Sequence, residues 1–244
     1  MFFKRFLFRN IKKLANTILN PFGFAIDRKK YFQDYYLYEY SSYEEYRKTQ
    51  IFYNKLKIKG IWADKITLNR VANIVLNKFK EVSLIKGICH GTRNGFEQNY
   101  LRDISKKFDV IGTDISDTAS DYENSIQWDF HDQKKEWHGT NQFIYTNSLD
   151  QSWKPKKAIL TWLSQLDDDG LLIIEHTKHH GPEAAGVSDP FGVYPLVMPY
   201  VLTMWFGSQI SITHSVAKKG NFDMDAWLFV ISKNVKNVVE LNNN

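Results

Sequence analysis

The residues best suited to chemistry lie between Gly91 and Asp150, each just behind an apolar run. Gly91 and Gly95 bracket Thr92-Arg93-Asn94. Without Cβ atoms, such a loop can turn sharply and let its backbone approach a ligand closely. A helix starting behind it offers free N–H groups to a carboxylate or phosphate. Asp114 and Ile115 close the next apolar run, where an acidic side chain would accept hydrogen bonds from ribose hydroxyls. Asp129-Phe130 closes the one after. A carboxylate there can hold an adenine amino group while the ring packs beside it, and it can equally cap a helix. Asn147 stands behind a fourth run.

A proton acceptor has several candidates: His131, Asp150, His176 and His179. Imidazole suits such work because its pKa lies near 6.5. His131 has an alternative use in holding its own turn, and Asp150 in capping the helix that follows. His176, His179 and His180 have metal-ligand spacing only if helical; with one cysteine in the chain, no metal is expected.

These positions need a scaffold, and the chain alternates elements to supply one. Val82–Cys89, Asp109–Thr113, Ser125–Trp128, Gln142–Asn147 and Leu171–Glu175 read as strands. Phe96–Lys106 and Pro155–Leu166 read as helices between them, with Asp167–Gly170 as a turn. Alternation of this kind predicts a parallel, doubly wound sheet with its ligand crevice at the carboxyl ends of the strands. Ile210–Val216 and Asp225–Ser232 read as two further strands around a Lys218-Lys219-Gly220-Asn221 turn. The predicted fold is therefore α/β, a three-layer sandwich whose mostly parallel seven-stranded sheet ends in an antiparallel hairpin.

The divisions follow from composition. Residues 1–30 carry eight Lys and Arg against Asp27 alone, so the net charge of +5 belongs to this segment. Phe3, Leu7, Ile11, Leu14 and Ile18 share one helical face opposite Arg5, Arg9, Lys12 and Lys13. A basic amphipathic helix of this kind either lies on a membrane surface through residues 1–20 or packs on protein. Residues 31–81 form a tyrosine-rich, helical lead-in, with a helix expected at Thr67–Phe79. Residues 82–234 form the main domain, and 235–244 a flexible tail. Within the domain, 176–207 is an insertion predicted to form a lid over the cleft. Its apolar helix would present Leu196, Val197, Tyr200, Val201, Met204 and Trp205. The slight acidity of the domain excludes a broad nucleic-acid footprint. The single Cys89 excludes an internal disulfide and fits a reducing cytoplasm.

The ordered set of motifs resembles the class I S-adenosylmethionine-dependent methyltransferases over roughly residues 82–232. Gly87-Ile-Cys-His-Gly-Thr-Arg-Asn-Gly-Phe-Glu97 is similar to their glycine-rich motif, and Val110-Ile-Gly-Thr-Asp-Ile-Ser116 to their acidic motif. Gln127-Trp-Asp-Phe-His131 resembles the adenine-contacting motif, and Phe143–Asp150 the fourth-strand motif. Asp167–Glu175 stands where the family has a Pro-Gly-Gly turn into its fifth strand. The resemblance implies S-adenosylmethionine as cofactor. Gly91, Thr92, Arg93 and Gly95 would line its methionine end, Asp114 and Ile115 would meet the ribose, Asp129 and Phe130 the adenine, and Asn147 the sulfonium. Two residues depart from the pattern. Cys89 replaces an acidic residue at the strand end, and Arg93 replaces a central glycine. The implied activity is O- or N-methylation of a small-molecule or glycan- or lipid-linked acceptor; the basic N-terminal helix adds the inner membrane face as a place of action. Two alternatives stay open: an inactive binding or scaffold protein, and an NAD(P)-dependent oxidoreductase using the same loop and Asp114.

Overall fold

The computed structural model describes residues 14–15, 17–18, 34–220 and 224–234. The chain divides into two units, 1–33 and 34–244. In the first, Leu14, Ala15, Thr17 and Ile18 are helical. The remainder of the expected basic helix, and the expected tail 235–244, lie outside the described residues.

In chain order, the second unit begins with β1 (Tyr36–Leu37), α1 (Tyr43–Leu56), α2 (Lys65–Lys78) and β2 (Ile85–His90). There follow α3 (Phe96–Ile104), β3 (Phe108–Asp114), β4 (Ser125–Gln127) and β5 (Asn141–Thr146). Next come α4 (Pro155–Gln165), β6 (Leu166–His176), β7 (Phe191–Gly192) and α5 (Met198–Phe206). The chain closes with β8 (Ile210–Lys218) and β9 (Asp225–Lys233). Local sequence sets the helix starts. Ser42 caps α1 by accepting from the Glu45 N–H at 3.1 Å, and Asp64 caps α2 by accepting from Thr67 at 3.0 Å. Pro155 opens α4 at a position where a missing N–H costs nothing.

The seven-stranded sheet has the order β4-β3-β2-β5-β6-β9-β8. The first five strands are parallel, and β9 and β8 are antiparallel, as the sequence predicts. Side chains alternate across each strand, so the sheet divides into two cores. Ile88, Ile144, Leu172, Ile174 and Phe229 meet α4 and α5 on one face. Cys89, Val110, Phe143, Tyr145, Ile173 and Leu228 meet α2 and α3 on the other. The result is three layers.

The expected turn at 167–170 is a bulge within β6. Asn141 pairs with Leu166, and the register then jumps so that Phe143 pairs with Leu171. The insertion also differs from the expectation. β7 pairs antiparallel with β1, tying it to the tyrosine-rich lead-in. In α5, Met198, Val201, Leu202 and Phe206 enter the core, while Met204, and Leu196 ahead of the helix, are 66% and 79% exposed. The helix therefore buries a face turned from the expected one, because Met198, Leu202 and Phe206 form its continuous i, i+4 stripe. Among the described residues, no helix is long and apolar enough to cross a membrane.

Candidate functional site

The carboxyl ends of β2 and β3 meet in a narrow cleft that the side chains of α1 largely fill. Gly91, Arg93, Asp114, Ile115, Asp129 and Phe130 line it, bringing together six of the predicted residues. Of the insertion, Ser188 and Asp189 reach its wall.

The glycine loop is held from beneath. The N–H groups of Gly91 and Thr92 donate to the Thr113 carbonyl at 2.8 and 3.0 Å. Gly91 and Gly95 have φ of 76° and 75°, and Arg93 joins them in the left-handed region at 49°. A Cβ on Gly91 would lie 2.5 Å from the Ser148 Cβ, so the close packing of the loops behind β2 and β5 requires glycine there. Arg93 turns its guanidinium to the Gly60 carbonyl at 3.2 Å. Its backbone N–H donates to Asp114 Oδ2 at 2.9 Å. Gly95 precedes α3 without a side-chain cap.

Asp114 is buried, and burial pushes its carboxyl up despite the donors around it. Oδ1 accepts from Ser116 N–H at 2.9 Å and from Asn54 Nδ2 of α1 at 2.8 Å. Asp129 faces opposite influences. Burial acts to raise its pKa, but the hydrogen bonds and charge of His131 hold it below the usual carboxylate range. His131 gives Asp129 Oδ1 both its backbone N–H, at 2.9 Å, and its ring Nδ1, at 2.7 Å. Asp129 Oδ2 accepts from the Tyr43 hydroxyl at 2.9 Å. The remaining His131 nitrogen, Nε2, is 2.6 Å from Ser152 Oγ. Both nitrogens of that ring are thus engaged within the protein. Phe130 packs edge-on against Trp162, which donates to the Phe130 carbonyl at 3.1 Å.

Three predicted residues do not line this cleft. Thr92 and Asn147 are buried, and Gly95 borders a shallow surface groove with Phe96 and Tyr100. Asn147 donates to Glu97 Oε1 at 3.2 Å. Among the described residues, Glu97 Oε2 has no hydrogen-bond partner. Burial pushes the Glu97 pKa up to about 7.

A third polar group sits behind β5 and β6. His176 Nε2 lies 2.7 Å from the Val193 carbonyl, and His176 Nδ1 is 3.3 Å from His180 Nδ1. His180 Nε2 is 3.8 Å from Asp150 Oδ2. His179 is exposed. No set of three or more His, Cys, Asp or Glu residues among the described ones is placed to hold a metal ion.

Sequence reasoning missed Tyr43 and Asn54, which reach the site from a helix long before the motifs. It also gave no role to the buried Glu97, and took His180 only with His176 and His179. Glu97 alone left a signal: a carboxylate in the first turn behind a glycine loop.

The strand order, the antiparallel β9 and the crevice beside the β2 loop define the class I methyltransferase fold. Two solved structures make the comparison concrete. One is the 1,6-didemethyltoxoflavin-N1-methyltransferase of Burkholderia thailandensis, with 1,6-didemethyltoxoflavin and S-adenosylhomocysteine bound. It is similar with a TM-score of 0.61 and 9% identity, over 80% of this chain and 92% of that one. The other is the plantazolicin methyltransferase BpumL with a triazolic desmethyl-plantazolicin analogue and S-adenosylhomocysteine. It has a TM-score of 0.59 and 11% identity, over 78% and 96% of the two chains. No family model and no curated protein matches the chain by sequence.

The residues present fit S-adenosylmethionine. The cofactor carries ribose hydroxyls to donate, and at its methionine end an ammonium, a carboxylate and a sulfonium. The buried Asp114, which lines the cleft, can accept the first; Glu97 Oε2, buried without a partner beside Asn147, is the unpaired acceptor nearest in sequence to the glycine loop, although it does not line the cleft.

Proposed function

We propose that the chain is an S-adenosylmethionine-dependent methyltransferase acting at oxygen or nitrogen of a small-molecule or glycan- or lipid-linked acceptor. The observation that carries this reading is Asp114, a buried carboxylate at the end of β3, facing the left-handed Gly91 loop across the cleft. When bound, the cofactor supplies an electrophilic methyl group on a sulfonium.

The protein's own part is to bind, orient and exclude water. Asp114 and Ile115 hold the ribose, Asp129 and Phe130 border the adenine, and Gly91, Thr92, Arg93 and Gly95 shape the loop beside the methionine end. Glu97 and Asn147 hold the cationic end. Methyl transfer between oriented partners needs mainly proximity and alignment. A small acceptor is supported by the fold neighbours, which were solved with 1,6-didemethyltoxoflavin and a plantazolicin analogue. The basic, amphipathic pattern of residues 1–20 supports work at the inner membrane face.

One observation favours a second reading, a methyltransferase-fold binding protein without turnover: Asn54 and Tyr43 already donate to Asp114 and Asp129. The antiparallel β9 stands against a dinucleotide-dependent oxidoreductase, for which a parallel strand is expected at that place.

Thermal unfolding with S-adenosylmethionine, S-adenosylhomocysteine and NAD separates these readings. Ligand at 100 times its dissociation constant stabilises by about 2.7 kcal/mol. The expected result is a shift with both adenosyl ligands that disappears in Asp114→Ala. No shift with either adenosyl ligand would refute the reading, and a shift with NAD alone would replace it by the oxidoreductase.

A further inference from the structure

We propose that the outer face of α5, together with the lysines at the start of α4, rests on an anionic lipid surface. This contact goes beyond the cofactor site and does not depend on it.

The apolar face comes first. None of the 28 residues from Pro190 to Ala217 is Asp, Glu, Lys or Arg. Within this stretch α5 sends Met198, Val201, Leu202 and Phe206 inward. Outward it presents Tyr200 and Met204, one turn apart, with Leu196 just ahead of the helix; each is at least half exposed. Thr203 interrupts this face, but its hydroxyl donates to the Pro199 carbonyl at 2.8 Å, so its hydrogen is already placed within the helix. Single apolar residues are ordinary on a soluble surface, whereas a group of them marks a contact site. At nine residues the helix is about 13 Å long, far too short to span a bilayer and suited to lying in its surface.

The neighbouring charge selects the occupant. From Gln151 to Leu166 the chain holds Lys154, Lys156 and Lys157 and no Asp or Glu. The Lys156 ammonium lies 6.0 Å from the Phe206 ring, which sets this basic run beside the end of α5. Lys157 is paired with Asp132 at 3.1 Å. Lys154 and Lys156 lie over the Trp153 and Phe206 rings instead, with no carboxylate partner among the described residues. A bilayer with acidic headgroups matches all of these: hydrocarbon for Leu196 and Met204, the interface for Tyr200, phosphates for the lysines. A second copy fits less well, because a two-fold contact sets each patch on itself and would bring the same lysines together. The place also suits the lipid-linked acceptor class. Asp189 lines the cleft, and Leu196 follows it by seven residues, at most about 25 Å of chain.

The test places the fluorophore NBD on the full chain at Met204→Cys, with Asn73→Cys, exposed on α2 across the sheet, as the comparison; the native Cys89 is buried. Vesicles are phosphatidylcholine alone or an equal mixture with phosphatidylglycerol. The expected result is brighter, blue-shifted emission at residue 204 with the mixed vesicles, quenched by lipids carrying a nitroxide on the acyl chain, and no change at residue 73. Leu196→Ser should weaken binding to the mixed vesicles about tenfold. Lys156→Gln should weaken it about fivefold, an effect that fades in salt. Both side chains are exposed, so thermal unfolding of the variants should match wild type. Vesicle binding that leaves the label at residue 204 in water would assign the contact to the basic N-terminal segment and overturn the proposal. An equal response to the two vesicles, or no response to either, would overturn it as well. So would a change at residue 204 that grows with protein concentration without lipid, which would give the face to a second copy.

Discussion

Glu97→Gln should make the protein more stable at pH 8 and leave it unchanged near pH 4. Glu97 is buried at the first turn of α3, and burial lifts its pKa from 4.5 to about 7. Between those values the native state keeps a proton that the unfolded chain has released. The native state thus binds more protons, and stability falls as pH rises from 4.5 through about 7. The cost at pH 8 is the shift of roughly 2.5 units at 1.36 kcal/mol per unit, about 3 kcal/mol. Glutamine keeps the oxygen that accepts from Asn147 at 3.2 Å and removes the charge. For a chain of this size, about 3 kcal/mol corresponds to a rise in Tm of about 6–12 °C. Chemical denaturation at pH 4, 6 and 8 measures it directly. A variant equally or less stable than wild type at pH 8 would refute the reasoning, because it would mean that the buried carboxylate is neutralised by a partner. If Glu97 also receives the cofactor's cationic end, the more stable variant should lose the thermal shift with S-adenosylmethionine.

Three further outcomes follow from the packing. Gly87→Ala places a Cβ 2.3 Å from the buried Phe143 ring; urea denaturation should show a loss of about 1–3 kcal/mol, with the shift by S-adenosylhomocysteine retained. Lys219→Met leaves Glu175 buried beside Asp64 without its ion-pair partner, and should cost about 3–5 kcal/mol, much of it recovered by adding Glu175→Gln. Tyr43→Phe removes the hydroxyl that donates to Asp129 Oδ2; calorimetric titration with S-adenosylhomocysteine should give an equal or tighter Kd, and a weaker one would show that the hydroxyl helps build the site.

The sheet was legible because each strand carries its own evidence. Alternation in Phe143-Ile144-Tyr145 and Leu171–Ile174 sends side chains to two cores, and polar residues stop each run at its carboxyl end. That Asp114 and the glycine loop share one cleft was legible for the same reason, since strand ends in a parallel sheet converge. Long-range pairings leave no such trace. β1 and β7 are two residues each, too short for any periodicity. Lys219 reads as part of a polar turn, yet the fold buries it between Glu175 and Asp64. His180 looks like its exposed neighbour His179, and only the bend behind β6 sets it against His176.

The least legible feature, the reach of α1 into the cleft, also bears most on binding. Asp114 and Asp129 are the two carboxylates proposed to meet the nucleoside, and Asn54 and Tyr43 donate to them. Buried carboxylates without donors would be costly, so α1 meets a need that the fold creates. A ribose hydroxyl at Asp114 therefore exchanges one hydrogen bond for another, and the net gain is small. Binding energy must then come from what α1 does not already supply: apolar contact with Phe130 and Ile115, and a cation for Glu97 Oε2. The cofactor would then be selected by its charge as much as by its ribose.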